Sequence, residues 1–201
     1  MSSKGAPGPA ETVDRGGRPP STSARELAEI ALELFLRKGF EATSVDEIAA
    51  VAGVSRRTFF RYFSTKADTL WVESAAEVQR FRELLAAAPP DEPYDEVLCR
   101  VAPQALDYRP GSSWALHRAT LTLTVPEVQE KATSRHAAWR NAATEFVADR
   151  RGGKDLIAIA VGQAVHGATV GAHEYWVNHP DEDVLKIMTE MLRLLIPHPT
   201  D

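Results

Sequence analysis

The stretch from Ser44 to Phe63 constrains this chain more than any other. Ser44-Val45-Asp46-Glu47 has the form of a capping box, in which a serine and a glutamate three residues on satisfy each other's backbone N–H groups. Val45, Ile48, Ala49 and Ala52 then recur with helical spacing, and Gly53 ends the pattern. Ser55 caps a second short helix that runs to about Phe63. Gly53-Val54-Ser55 is the join: a glycine for a left-handed turn, an apolar residue to fill the elbow and a cap for the next helix. That is the local chemistry of a helix-turn-helix. Upstream, Ser23-Ala24-Arg25-Glu26 is another capping box. Leu27, Ile30, Ala31, Leu34 and Phe35 follow on one helical face, and Gly39 closes it.

The helix opened by Ser55 has two distinct sides. At about 100° per residue, Phe59 and Phe63 share one side and belong to a core. Arg57 and Arg61 point the other way, flanked by Arg56 and Phe60 on one edge and by Thr58 and Tyr62 on the other. Cations at a helix N-terminus oppose the helix dipole by about 0.3–1 kcal/mol each. A helix selected for stability alone favours acids there. A guanidinium can form two parallel hydrogen bonds to guanine O6 and N7, worth about 1–3 kcal/mol of base discrimination, and Arg56 and Arg57 sit where a recognition helix makes such contacts. Tyr62 and Lys66 suit phosphate better than bases. Thr43 and Ser44 could do the same, and Ser44 reads equally well as a cap alone. A solvated basic face is the plain alternative, and the two caps with the turn weigh against it.

Charge distribution supports a local polyanion contact. The chain of 201 residues carries a net charge of −5, but residues 1–66 balance at +2 and the remainder at −7. Between 55 and 66 lie Arg56, Arg57, Arg61 and Lys66 with no acid. Residues 1–20, rich in Gly, Pro, Ser and Ala, read as a disordered arm. Its basic end, including Arg18, is either a solvated tail or a reach into a minor groove.

The remaining patterns predict helices over about 66–87, 94–107, 113–124, 126–150, 154–177 and 182–196. No strand alternation or repeat interrupts them. The expected fold class is all-α with about nine helices: a three-helix DNA-binding domain over 21–66 and a larger helical domain over 67–201 for ligand binding and dimerisation. No stretch approaches the roughly 20 apolar residues of a membrane span, and no signal pattern opens the chain, so a cytoplasmic protein with no membrane partner is expected. Cys99 is the only cysteine, which excludes an internal disulfide. There is no Gly-rich phosphate loop, nucleophile elbow or spaced ligand set. The expectation is therefore a non-enzyme with no cofactor and no metal.

The run Ala49-Ala50-Val51-Ala52-Gly53-Val54-Ser55-Arg56-Arg57-Thr58-Phe59-Phe60-Arg61-Tyr62-Phe63, followed by Ser64-Thr65-Lys66-Ala67-Asp68-Thr69-Leu70, resembles the DNA-binding domain of the TetR family of bacterial regulators. Upstream, Ala31, Phe35, Gly39, Thr43 and Ile48 also fit. The resemblance implies that Arg56, Arg57, Phe60, Tyr62 and Lys66 occupy contact positions, with Thr58 near a phosphate. Phe60 departs from the family's usual tyrosine; its ring can still meet a thymine methyl. The run from Ser113 to Arg151 resembles a subgroup whose C-terminal domain is described as binding acyl-CoA-like ligands.

The family likeness implies a palindromic double-stranded operator, a homodimer built on the last two helices and a small-molecule effector, acyl-CoA among the candidates, that releases a repressor. The penultimate helix carries Gly162, Gly167 and Gly171 among alanines. The last carries a wide apolar surface that includes Leu185, Met188, Leu192 and Leu195. Candidate pocket linings are Trp114, His117, Leu121, Trp139, Phe146 and His166. Two further readings stay open. One is a metal-responsive regulator using His166 and His173, with Glu174 and His179 nearby. The other is an architectural DNA-binding protein without an effector.

Overall fold

A computed structural model describes residues 22–106, 108 and 113–199. The arm over 1–20, Arg18 with it, and the Arg109-Pro110-Gly111 break lie outside the described residues. The described chain is helical, with no strand among the described residues.

Three helices form the N-terminal head: α1 (Ala24–Lys38), α2 (Val45–Val51) and α3 (Arg56–Tyr62). Ser23 and Glu26 make both halves of the first capping box. The second box is only half made. Ser44 accepts from the Glu47 backbone N–H at 3.1 Å, but the Glu47 carboxylate turns away to the ammonium of Lys38 on α1. Gly53 has φ 65°, the left-handed conformation that a side chain resists. Ser55 caps α3 by accepting from Thr58 N–H at 3.1 Å. Leu27, Ala31, Leu34, Phe35, Ile48 and Phe59 fill the core between the three helices.

The single helix expected over 66–87 is broken. A 3-10 turn, Ala67–Trp71, precedes α4 (Ser74–Ala86). Asp68 accepts from the Thr65 N–H at 2.9 Å and from its hydroxyl at 3.2 Å. Ala67, Thr69, Leu70 and Trp71 are all buried. With four of its five residues buried, this segment has little polar face for a surface helix, and it lies at the junction of two cores. Val128 and Ala132 complete the head's core from the far side of that junction.

The body comprises α4, α5 (Tyr94–Ala105), α6 (Ser113–Thr124), α7 (Pro126–Arg151), α8 (Leu156–Asn178) and α9 (Val184–Leu195). Pro126 opens α7, and Asp155 and Asp183 cap α8 and α9. The apolar α8 packs against α6, α7 and α9. It is more apolar than the sequence reading allowed: mean hydropathy reaches 1.3 over 18 residues, enough by length and composition to cross a bilayer. Gly162 belongs to the packing inside this body. A Cβ there would stand 2.0 Å from Thr144 Oγ1 and 2.8 Å from the Arg140 carbonyl, so the α8 backbone meets the Thr144 side chain of α7 directly. Gly167 and Gly171 instead lie beside Leu195 and Met191 of α9.

Candidate nucleic-acid interface and effector cavity

The two sides of α3 are divided as its spacing predicts. Phe59 is fully buried and Phe63 nearly so, with their rings 5.6 Å apart. Arg56, Arg57 and Arg61 are exposed. Arg57 has no side-chain partner among the described residues. Arg56 donates to Asp46 on α2 at 2.8 Å and lies 5.2 Å from the centre of the Phe60 ring. Phe60 is 44% exposed and stands edge-on to Phe59. An exposed ion pair of this kind contributes up to about 1 kcal/mol, so Arg56 can exchange Asp46 for a stronger acceptor at little cost. The Asp46 contact had no sequence signal, because it depends on how α2 and α3 cross.

Four expected phosphate contacts are differently placed. Thr43 is 1% exposed, and its hydroxyl donates to the Gly39 carbonyl at 2.9 Å; the side chain is inside the head and cannot reach a backbone phosphate. Lys66 donates to the Phe40 carbonyl at 2.7 Å and the Thr43 carbonyl at 3.2 Å, with its ammonium 4.3 Å from the Phe40 ring centre. It clasps the α1–α2 loop, because the two carbonyls there have no helix to join. Tyr62 is half-buried, and its hydroxyl donates to the Thr22 carbonyl at 2.8 Å. Arg61 stacks on Tyr62 and donates to the Tyr62 hydroxyl oxygen at 3.1 Å. Thr58 is half-buried with its hydroxyl 2.9 Å from Ser55 Oγ. Ser44 and Ser55 are exposed at the mouths of α2 and α3 as caps.

The second candidate site is a small cavity in the body, with about 60 Å³ open to the centres of water-sized spheres. Of the six linings expected from sequence, Trp139 borders it. Phe146 packs in the body core under the Arg150 guanidinium. Leu121 packs against the head's core, and Trp114 touches both cores. His117 is half-buried away from the cavity. His166 reaches it only through His136, whose ring centre is 5.2 Å away.

The polar wall of the cavity comes from residues the sequence reading passed over. Arg118 of α6 is 4% exposed. It pairs with Glu77 of α4 at 3.4 Å and donates to Tyr108 Oη at 2.7 Å. Tyr108 donates in turn to His173 Nε2 at 2.6 Å, and His173 Nδ1–H donates to the Thr169 carbonyl at 2.6 Å. The chain of donors runs one way only if His173 is neutral. Burial, together with the Arg118 charge, holds His173 down at about 4, against the partly offsetting Thr169 hydrogen bond. Burial, His166, His173 and Arg118 hold His136 at about 4 as well. Of the two histidines of the expected metal reading, His173 has both ring nitrogens engaged, while His166 lies against the His136 ring. No group of three His, Cys, Asp or Glu residues suits a metal among the described residues. A signal for the ion pair did exist: Glu77 and Arg118 each stand on an otherwise buried stripe, with Ser74, Val78 and Phe81 on α4 and with Ala115 and Ala119 on α6.

An exposed basic face on a capped second helix, with apolar rings beneath it, defines a helix-turn-helix DNA-binding protein attached to a helical body with an internal cavity. Residues 27–70 match the family described as bacterial regulatory proteins, tetR family, and residues 102–199 match the MftR C-terminal domain. The protein named as a mycofactocin biosynthesis transcriptional regulator, MftR, of Mycobacterium tuberculosis is 33% identical over 174 residues, covering 85% of this chain and 86% of that one. The regulator TcmR of Streptomyces glaucescens is 35% identical over 106 residues, 49% of this chain and 46% of its own. Among solved structures, FadR of Thermus thermophilus in complex with lauroyl-CoA aligns with TM-score 0.58 at 24% identity, over 86% of this chain and 93% of that one. FadR of Bacillus subtilis in complex with stearoyl-CoA aligns with TM-score 0.65 at 20% identity, over 85% and 96%. The chain belongs to the TetR family of transcriptional regulators.

Proposed function

We propose that this chain is a homodimeric repressor that reads a palindromic operator with α3 and lets it go when a small apolar or acyl-type effector occupies the body. The observation that carries the DNA reading is Arg57: exposed, without a partner among the described residues, and held outward because Phe59 on the opposite side of α3 is fully buried. Arg56, Phe60 and Arg61 share that surface, and Ser44 and Ser55 offer hydroxyls at its edge. In this reading residues 21–66 are the DNA-binding part, 67–201 the sensing and pairing part, and the protein works in the cytoplasm with the chromosome.

Two features support the rest of the reading. Leu156 and Ile159 of α8 and Leu194 and Leu195 of α9 are exposed, Leu194 to 80%. Apolar side chains left out on the last two helices favour a second copy as their cover. The cavity has a mostly apolar lining with a few converging polar groups, as small-molecule sites do. FadR relatives of the same fold hold lauroyl- and stearoyl-CoA, in keeping with an acyl-type effector here. Effector binding acts by favouring a dimer whose two heads no longer match the operator spacing. It can do so only by its difference in affinity for the two states.

The test is selection of bound genomic fragments, followed by titration of the recovered site with wild-type protein and Arg57→Ala. Loss of affinity confined to the selected site supports base reading by Arg57. Equal loss on random DNA would overturn it.

A further inference from the structure

We infer that the body cavity takes a carboxylic acid on a flat apolar framework, its carboxylate received by Arg118, Arg135 and the Trp71 indole N–H. This rests on the reading of the chain as an effector-responsive regulator and narrows the effector to one chemical class.

Charge is the first argument. Two guanidiniums, those of Arg118 and Arg135, border the cavity with one carboxylate, that of Glu77. The bordering histidines, His136 and His173, are held neutral by burial. The wall is thus one positive charge in excess, in a site where water screens little.

Unspent donors are the second. Arg118 uses three N–H groups on Glu77 and Tyr108, and a guanidinium has five. Trp71 is 9% exposed, and its Nε1–H is buried with no acceptor among the described residues. A buried donor left unmade is costly, and an acceptor brought by a ligand removes that cost. The threonine hydroxyls on the wall have meanwhile committed their protons, Thr169 donating to the Val165 carbonyl and Thr122 to the Arg118 carbonyl, and both nitrogens of His173 are engaged, so the donors left for a ligand are those of Arg118, Arg135 and Trp71.

Shape is the third. The rings of Trp71, Tyr108, His136, Trp139 and His173 all border the space, and faces of this kind stack on planar groups.

The position of Arg135 gives binding a consequence. Its guanidinium lies 3.7 Å from Asp68 and 5.3 Å from the Trp71 ring centre. Arg135 and Trp71 border both the cavity and the crevice that Tyr62, Phe63 and Asp68 form beneath the head. Asp68 holds the two Thr65 donors just beyond α3. A ligand carboxylate competes with Asp68 for Arg135 and loosens the tie between α7 and the segment that follows the recognition helix.

The experiment uses the full chain and three matched probes: 2-naphthoate, its methyl ester and its CoA thioester, with lauroyl-CoA as a fourth. Binding is followed by calorimetry and operator release by fluorescence anisotropy. The acid should bind about tenfold or more tighter than the ester, the step expected when a charge-assisted hydrogen bond is lost. Trp71→Phe, which removes the N–H and keeps an aromatic ring, should weaken the acid by several-fold without lowering the melting temperature. Asp68→Asn should retain acid binding and release the operator less steeply. An ester that binds as well as the acid, a panel in which no acid binds, or release by the CoA thioesters alone would overturn the carboxylate assignment while leaving the regulator reading intact. Failure to recover any selected DNA would instead overturn the regulator reading, and calorimetry would still score the acid against the ester.

Discussion

The head and the body use arginine in opposite ways. In the head no charged side chain is fully buried among the described residues, and Arg56, Arg57 and Arg61 stand on the outside of α3. In the body Arg118 is inside, bound to Glu77 and Tyr108 and surrounded by the rings of Trp71, Trp114 and Tyr108. An exposed guanidinium adds little to folding and stays available to a partner. A buried one must be paired, because isolated burial of its charge is prohibitive. The head is thus free to vary its cations with its operator. The body's cation is fixed by the fold, and whatever enters the cavity must accommodate it.

The contrast breaks most visibly if Arg118 proves dispensable. Arg118→Met strands Glu77 in the interior and should cost about 3–5 kcal/mol, read by chemical denaturation, while Arg118→Met with Glu77→Gln recovers most of the loss. The next effect is one of pH. All six histidines of the chain lie outside the head. With folded-state values of about 4 for His136 and His173 against about 6.5 unfolded, the unfolded chain takes up protons first as pH falls. Stability from these two groups is therefore complete above pH 6.5 and is lost between 6.5 and 4. Melting temperatures across that window should fall for the whole chain and fall less for His173→Asn. Arg57→Ala should cost about 1–3 kcal/mol on the operator, with a stability change within about 0.5 kcal/mol; a variant that melts early instead would mean that the head's cations are structural too. Lys66→Met should lower stability by roughly 1–2 kcal/mol, since it removes a charged donor from two carbonyls, and should leave the salt dependence of DNA binding unchanged. A shallower salt slope would restore Lys66 to the phosphate contacts. Ser55→Ala should cost about 1 kcal/mol from the lost cap, the smallest of these changes.

The head was legible because its signals are local. Ser23, Ser55 and Gly53 act on residues three or four positions away, and Phe59 and Phe63 declare their side by spacing alone. Thr43 and Thr58 are drawn in by local partners, Gly39 and Ser55, but at Lys66 and Tyr62 a distant partner intervenes. Lys66 reaches a carbonyl 26 positions back, and Tyr62 one 40 positions back. The body was legible as helices, for the same local reasons, but its cavity was not. Arg118 meets Glu77 across 41 positions and Tyr108 meets His173 across 65, separations at which no periodicity carries information. The Ala67–Trp71 break was hidden differently: the tighter turn goes with the burial of four of its five residues, which no local spacing announces.

The glycine at position 162 has a mechanical meaning. With no side chain between them at that crossing, α7 and α8 touch backbone to side chain and leave no gap to be filled. The α8 strut carries His173 at the cavity, and the α7 strut carries Lys131 and Arg135 at the neck. A methyl group at 162 would meet Thr144 and the Arg140 carbonyl and wedge the two struts apart.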